Sequence, residues 1–191
     1  TGYANALLSN RDITSFAFYR SPNYNNQGAL LAQVYPNGFT PQINQYSRDR
    51  SIVAGVKGST EGGFSWDVSA NHGENTLDFH TRNSINYTYG PGSQTSFYDG
   101  RLEYSQDILN ADFTQALDWG LAYPVTLSFG AEYRKEKWKQ LPGEAASYND
   151  GGLGIPGSLF GAQGFEVGAP DHARQHLLHP EIVTLSYLRS M

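Results

Sequence analysis

Val125-Thr126-Leu127-Ser128-Phe129-Gly130-Ala131-Glu132-Tyr133-Arg134 decides how the chain is read. Val125, Leu127, Phe129, Ala131 and Tyr133 alternate with Thr126, Ser128, Gly130, Glu132 and Arg134, a period of two. An extended strand turns successive side chains to opposite faces, so this pattern gives one apolar and one polar face. Phe64 to Asn71 repeats it: Phe64, Trp66, Val68 and Ala70 against Ser65, Asp67, Ser69 and Asn71. Leu109, Ala111, Phe113 and Leu117 alternate with Asn110, Asp112, Thr114 and Asp118. Ile52, Ala54 and Val56 carry a weaker version, and Thr14, Phe16 and Phe18 the weakest. The fold class expected is all-β, with about five strands.

The connections differ in length in a regular way. Lys57 to Phe64 and Leu117 to Val125 are short. Ser21 to Arg48, Gly73 to Leu102 and Pro142 to Ala173 are long and rich in Gly, Pro, Asn and Gln. Short turns then lie at one end of an antiparallel meander and long loops at the other. Barrels of the outer membrane have this asymmetry, because a sheet in lipid must pair all its backbone groups and turns one face to hydrocarbon. On this reading Phe64, Trp66, Val68, Leu127 and Phe129 face lipid, while Asp67, Asp112, Asp118, Glu132 and Arg134 face a wet interior. A soluble sandwich gives the same alternation with the faces exchanged, its apolar side meeting a second sheet. Trp119 and Tyr123 flank a short turn, and Trp138, Tyr104 and Tyr98 lie near loop ends, where amphipathic rings favour a membrane–water boundary.

Composition narrows the function classes. The 191 residues include 21 Gly, 13 Tyr and no Cys, with 39% hydrophobic, 14% aromatic and 16% charged residues. No run approaches the ~18 consecutive apolar residues of a membrane helix. Zero Cys excludes disulfides, thiolate metal sites and a Cys nucleophile. The net charge is 13 − 18 = −5, and the basic residues are scattered apart from Arg134 to Lys139, so no nucleic-acid partner is expected. The first residue is Thr and no signal peptide precedes it, the pattern of a mature product or an excised piece.

Several segments then resemble, in order and spacing, TonB-dependent outer-membrane receptors. They are Tyr35-Pro36-Asn37-Gly38-Phe39-Thr40-Pro41-Gln42-Ile43-Asn44 and the strand Ser51-Ile52-Val53-Ala54-Gly55-Val56-Lys57-Gly58. Phe64-Ser65-Trp66-Asp67-Val68-Ser69 and Thr95-Ser96-Phe97-Tyr98-Asp99-Gly100 follow. Phe129-Gly130-Ala131-Glu132-Tyr133-Arg134-Lys135-Glu136 and Pro142-Gly143-Glu144-Ala145-Ala146-Ser147-Tyr148 complete the set. The resemblance spans about residues 12–173. It implies an incomplete segment of a transmembrane β-barrel of roughly 22 strands with a plugged lumen. It also implies uptake of a scarce ligand (an iron–siderophore, a vitamin or an oligosaccharide) across the bacterial outer membrane. The partners it implies are the lipid bilayer, the ligand, and TonB through a plug-bearing region missing from this chain. Residues 1–173 are then a partial barrel domain. Residues 174–191 form a divergent tail without the family's pattern, as at a truncated or frame-shifted end.

Candidate chemistry is sparse, and no enzyme and no cofactor are expected. His172, His176 and His179 are spaced by four and three, which on a helix would share a face as metal ligands do. Pro180 stops a helix there and no carboxylate stands in register, so no metal site is expected. His72 and His80 read as solvent-exposed loop residues. Asp67, Asp112 and Glu132 are carboxylates that neighbouring strands could bring together as in a glycosidase, but no flanking pattern marks an acid or a nucleophile. No G-x-S-x-G, P-loop or dinucleotide fingerprint occurs, and Gly151 to Gly168 reads as a loop. Aromatics of the long loops are the ligand-binding candidates: Tyr24, Tyr87, Tyr89 and Tyr148 first, with Tyr35, Phe39 and Phe165 beside them. Their faces can stack on sugars or chelate rings. The alternatives are a secreted, soluble β-sandwich that binds carbohydrate, and a β-rich glycoside hydrolase.

Overall fold

The computed structural model describes residues 1–120, 124–154, 164–166 and 172–186. Six strands form one antiparallel sheet in sequence order, a meander that does not close on itself. They are β1 (Gly2–Phe16), β2 (Gln42–Ser59), β3 (Phe64–Arg82), β4 (Ser96–Leu117), β5 (Val125–Pro142) and β6 (His172–Ser186). The β2–β3 and β4–β5 connections leave from one end of the sheet, and the β1–β2, β3–β4 and β5–β6 connections from the other. In the tighter turn Thr60 N–H donates to the Phe64 carbonyl at 2.8 Å, and Gly63 takes a φ of 78°, open to a residue without Cβ.

Register fixes the faces, because directly opposed residues share one. Trp66 stands opposite Phe113, which stands opposite Phe129. Val56, Val68, Ala111 and Ala131 form the next row, and Ala54, Ala70, Leu109 and Tyr133 the one after. Phe64, Phe113 and Phe129 stack with ring centroids 6.1 and 5.2 Å apart. The expected apolar set thus lies on one face. That face is uncovered: Leu8 is 77% exposed, Ile52 53%, Leu109 55% and Phe129 44%. Among the described residues the strands touch their sheet neighbours and no second sheet is present, so they do not form a sandwich.

The polar set lies on the opposite face, where Asp67 opposes Asp112, Asn110 opposes Glu132 and Ile108 opposes Arg134. Asp118 falls outside this set, in the turn after β4.

The strands run farther toward the long loops than their alternation predicts. Residues 42–48, 73–82 and 96–102, expected as loop, are strand. There the first-named face is no longer apolar: Arg50, Glu74, Glu103, Asp107, Lys135, Lys137 and Lys139 occupy it. The apolar residues there, Leu77, Phe79, Phe97 and Leu102, lie on the other face, so the period-two signal does not continue in phase. β1 begins at Gly2, and Phe18, expected within that strand, lies beyond its end. Leu7 and Leu8 point to opposite faces, which breaks the alternation. The register slips at Phe79/His80, leaving Asp99 as an extra residue between Tyr98 and Gly100. Gly100 there has a φ of 118°, and a Cβ on it would meet the Leu141 carbonyl oxygen.

β6 pairs along β5 from Trp138↔His172 to Thr126↔Ser186, so the boundary expected at 173/174 falls inside a strand. His172, His176 and His179 therefore lie on extended chain, and helical spacing does not apply to them. Tyr104 and Trp138 oppose each other on the polar face, not in an outward-facing girdle. Trp119 is largely exposed beside its turn, and Tyr123 lies outside the described residues.

Apart from Phe97, Ile108 and Val125 on the strands, the buried hydrophobic cluster of the described residues sits among the loops. Leu31, Phe39, Ile85 and Tyr87 form it, with Tyr24, Leu30, Val34 and Tyr35 packed around them.

Candidate functional site: a two-faced wall and its loop cap

The apolar face forms a belt nine residues deep, from Phe64 to His72 on β3, Leu109 to Leu117 on β4 and Val125 to Tyr133 on β5. That depth matches the ~9–11 residues a tilted strand needs to cross hydrocarbon. His72 marks the upper edge, its Nδ1 2.6 Å from Asp107 Oδ1 and its Nε2 3.2 Å from Glu74 Oε1. Higher on this face, Arg101 grips Asp78 with a fork, Nε donating to Oδ1 at 2.7 Å and Nη2 to Oδ2 at 3.0 Å. A guanidinium fits a carboxylate in this two-pronged way, and Asp78 is buried there.

On the opposite face, charge is tied up laterally. Tyr3 Oη donates to Asp67 Oδ1 at 2.6 Å. Asp49 accepts from Arg11 at 2.7 Å and from Asn75 at 2.6 Å. Tyr104 Oη donates to Glu136 at 2.7 Å, and Arg134 bridges Glu132 and Glu136 at 2.9 and 3.7 Å. Asp67 and Asp112 are brought together as cross-strand neighbours, and a cleft of about 390 Å³ lined by them, Lys57 and Thr114 opens at the turn end. Among the described residues no group of three or more His, Asp or Glu side chains is arranged to hold a metal ion.

Three loops build the cap. The first contributes the helix α1 (Gly28–Val34). Tyr35 stacks on Phe39 with centroids 4.3 Å apart, and its hydroxyl donates to the Ser84 carbonyl at 3.0 Å, joining the first loop to the second. Asn86, fully buried, joins the second to the third. Its Nδ2 donates to the carbonyls of Ala146 and Asn149 at 3.0 and 3.1 Å, in and just after the single turn α2 (Ala145–Tyr148). Its Oδ1 accepts from Thr88 N–H at 3.2 Å and from Thr88 Oγ1 at 2.6 Å. The third loop also docks on the bulge. Phe165 N–H donates to the Asp99 carbonyl at 2.7 Å, and the Phe165 ring meets Phe79 edge-on at 5.6 Å. Burial pushes the Asp99 carboxyl up to about 6; the Thr81 hydroxyl that donates to it opposes the rise, and the negative Glu144 adds to it.

The four candidate tyrosines do not share one surface. Tyr87 is fully buried in the cap core, so its ring packs and does not stack on a ligand in this conformation. Burial raises the pKa of its hydroxyl, and the neighbouring Arg20 charge partly offsets this. Tyr24 is half-buried at the edge of that core, Tyr89 is exposed, and Tyr148 is half-buried at the end of α2. Arg20, which the sequence reading passed over, joins two of them. Its guanidinium lies 5.1 Å from the Tyr24 ring, 5.5 Å from Phe18 and 5.7 Å from Phe39. An Arg among aromatics at positions 18, 19 and 24 was the available signal. No protein-family model matches the chain, and neither curated proteins nor solved structures include a significantly similar one.

Proposed function

We propose that this chain is a wall segment of an outer-membrane β-barrel receptor, which takes up a scarce small ligand and performs no chemistry on it. One observation carries the reading: an open antiparallel sheet whose apolar face is uncovered over a membrane-matched depth while its other face is polar. An exposed apolar surface of this extent in water marks a contact with lipid or protein. The loop cap supports the receptor half of the proposal. Three long loops are knitted together at one end, where an uptake receptor meets its ligand. The free edges of β1 and β6 leave backbone groups for neighbouring strands, as a barrel in lipid requires. On this reading coupling to TonB belongs to other parts of the full receptor, and a siderophore, vitamin or oligosaccharide remains the ligand class.

Trp66 provides the test. In the full chain carrying Trp119→Phe and Trp138→Phe, Trp66 is the sole tryptophan. In lipid bicelles its fluorescence is expected to be blue-shifted, quenched by bromine on the acyl chains and indifferent to aqueous iodide. Quenching by iodide but not by bromolipid overturns the proposal.

A further inference from the structure

We propose that the outward face at the upper edge of the belt binds one membrane lipid with an anionic phosphate headgroup, its phosphate on Lys137 and Lys139 and an acyl chain in the cleft below them. The proposal rests on the wall reading above, since it needs this face to meet lipid.

Two open clefts lie one above the other on this face. The lower, about 390 Å³, is mostly apolar. Ala54 and Ala70 stand side by side in its row and leave a depression, bordered by the larger Ile52, Leu109 and Tyr133. Methyl groups between larger apolar walls make a slot for a hydrocarbon chain. His72 and Asp107 close its upper end. The upper cleft, about 380 Å³, is polar and is lined by Glu74, Thr76, Glu103, Ser105, Lys137 and Lys139. Glu74 and Ser105 oppose each other two residues beyond the His72 and Asp107 pair, roughly 7 Å farther along the strands. An apolar slot that runs directly into a charged one has the profile of an amphiphile.

Charge decides the headgroup. The carboxylates of this band are engaged within the sheet: Asp107 and Glu74 by His72 at 2.6 and 3.2 Å, and Glu103 by Arg101 at 3.6 Å. Lys137 and Lys139 are exposed, and among the described residues neither ammonium is in an ion pair. Lys137 opposes Ser105 and Lys139 opposes Glu103, so the two rise from one strand face, roughly 7 Å apart at the backbone, and can share one phosphate. Arg50 and Arg48 stand exposed at the same level of β2, opposite Glu74 and Thr76. Lysine binds phosphate as a point charge, and a basic band at a membrane surface draws anionic lipid. A choline headgroup would set its cation against uncompensated lysines. A protein partner is disfavoured by the lower cleft, which lies within the belt at the depth of acyl chains.

Phosphatidylglycerol is the probe, titrated into phosphatidylcholine bicelles that hold the full chain, and the Ile52 methyl resonances report occupancy of the lower cleft. They are expected to move saturably, reaching half-saturation while phosphatidylglycerol is still the minor lipid. Diacylglycerol, which keeps the chains and lacks the phosphate, should act at least about tenfold more weakly, and glycerol phosphate, which lacks the chains, should leave Ile52 in place. Lys137→Gln with Lys139→Gln should raise the half-saturating fraction about tenfold or more, and the paired Lys→Arg variant should stay within about twofold of the native chain. Ala70→Leu, which fills the slot and keeps both lysines, should raise it about fivefold. Lys57→Gln, opposite Asp67 on the other face, should change nothing. No saturable shift, an equal response to diacylglycerol, or an unchanged half-saturation in the double Gln variant overturns the proposal. A shift produced equally by glycerol phosphate overturns it too, since the site then takes a soluble anion. Quenching of Trp66 by bromolipid without any preference for phosphatidylglycerol removes the lipid site and leaves the wall reading. Quenching of Trp66 by iodide alone removes both.

Discussion

Val68→Arg separates a lipid-facing belt from a water-facing one. Val68 sits mid-belt, opposite Val56 and Ala111, four residues from Phe64 at one edge and four from His72 at the other. At ~3.3 Å per residue the belt is roughly 26 Å long on the strand, or about 19–22 Å tall at the ~35–45° tilt of membrane barrels. Val68 is then ~10 Å from either boundary, too deep for an arginine to reach water at no cost. A midplane Arg costs about 2–4 kcal/mol in such barrels, a roughly 30- to 700-fold loss in the folding equilibrium. Asn110→Arg is the control, since Asn110 lies at similar depth on the other face, opposite Glu132. It should change stability by no more than about 0.5 kcal/mol. The assay is urea unfolding of the full chain in lipid bicelles, followed by Trp fluorescence and circular dichroism. Equal stability of Val68→Arg and the native chain, or equal costs for both variants, refutes the assignment of faces.

Two further outcomes concern the cap. Asn86→Ala removes both side-chain bonds to the third loop and takes from the Thr88 hydroxyl the oxygen it donates to. Amide hydrogen exchange across residues 84–88 and 145–149 should rise together, by about 2–3 kcal/mol of lost protection, with β3 to β5 unchanged. Asp99 gives the cap a pH dependence. Its folded pKa lies near 6, above the ordinary value of 3.8, so the folded form binds the proton more tightly. Its contribution to stability is therefore fullest at acid pH and is lost as pH rises through about 6. Protection of the Phe165 amide should fall over that interval in the native chain and stay level in Asp99→Asn.

Legibility in the sequence followed the contrast between the two faces of a strand. Val125 to Tyr133 could be read because its two faces carry unlike side chains, and Phe64 to Asn71 for the same reason. His72 to Arg82 continues the strand, but its apolar residues Leu77 and Phe79 fall on the other face, so the alternation does not carry on in phase. The order of the strands was legible from turn lengths alone. The cap was not: Tyr87 reads like any loop aromatic, and only packing against Leu31, Phe39 and Ile85 makes it a core residue. The Arg20 environment draws on residues up to 67 positions away in the chain, beyond local spacing rules, although its aromatic neighbours at 18 and 24 are close in sequence.

The length of the strands carries a consequence of its own. β4 has 22 residues, of which Leu109 to Leu117 suffice for the belt. The remaining stretch, Ser96 to Ile108, stands on the loop side as a palisade, held edge to edge by the Arg101–Asp78 clamp. In the proposed orientation it raises the cap roughly 30 Å above the hydrocarbon, about one bilayer thickness. Large water-borne visitors such as antibodies, phage tail tips and proteases would then meet the crown of the molecule before any lipid, and changes in the loops could alter what docks there without disturbing the part that holds the chain in place.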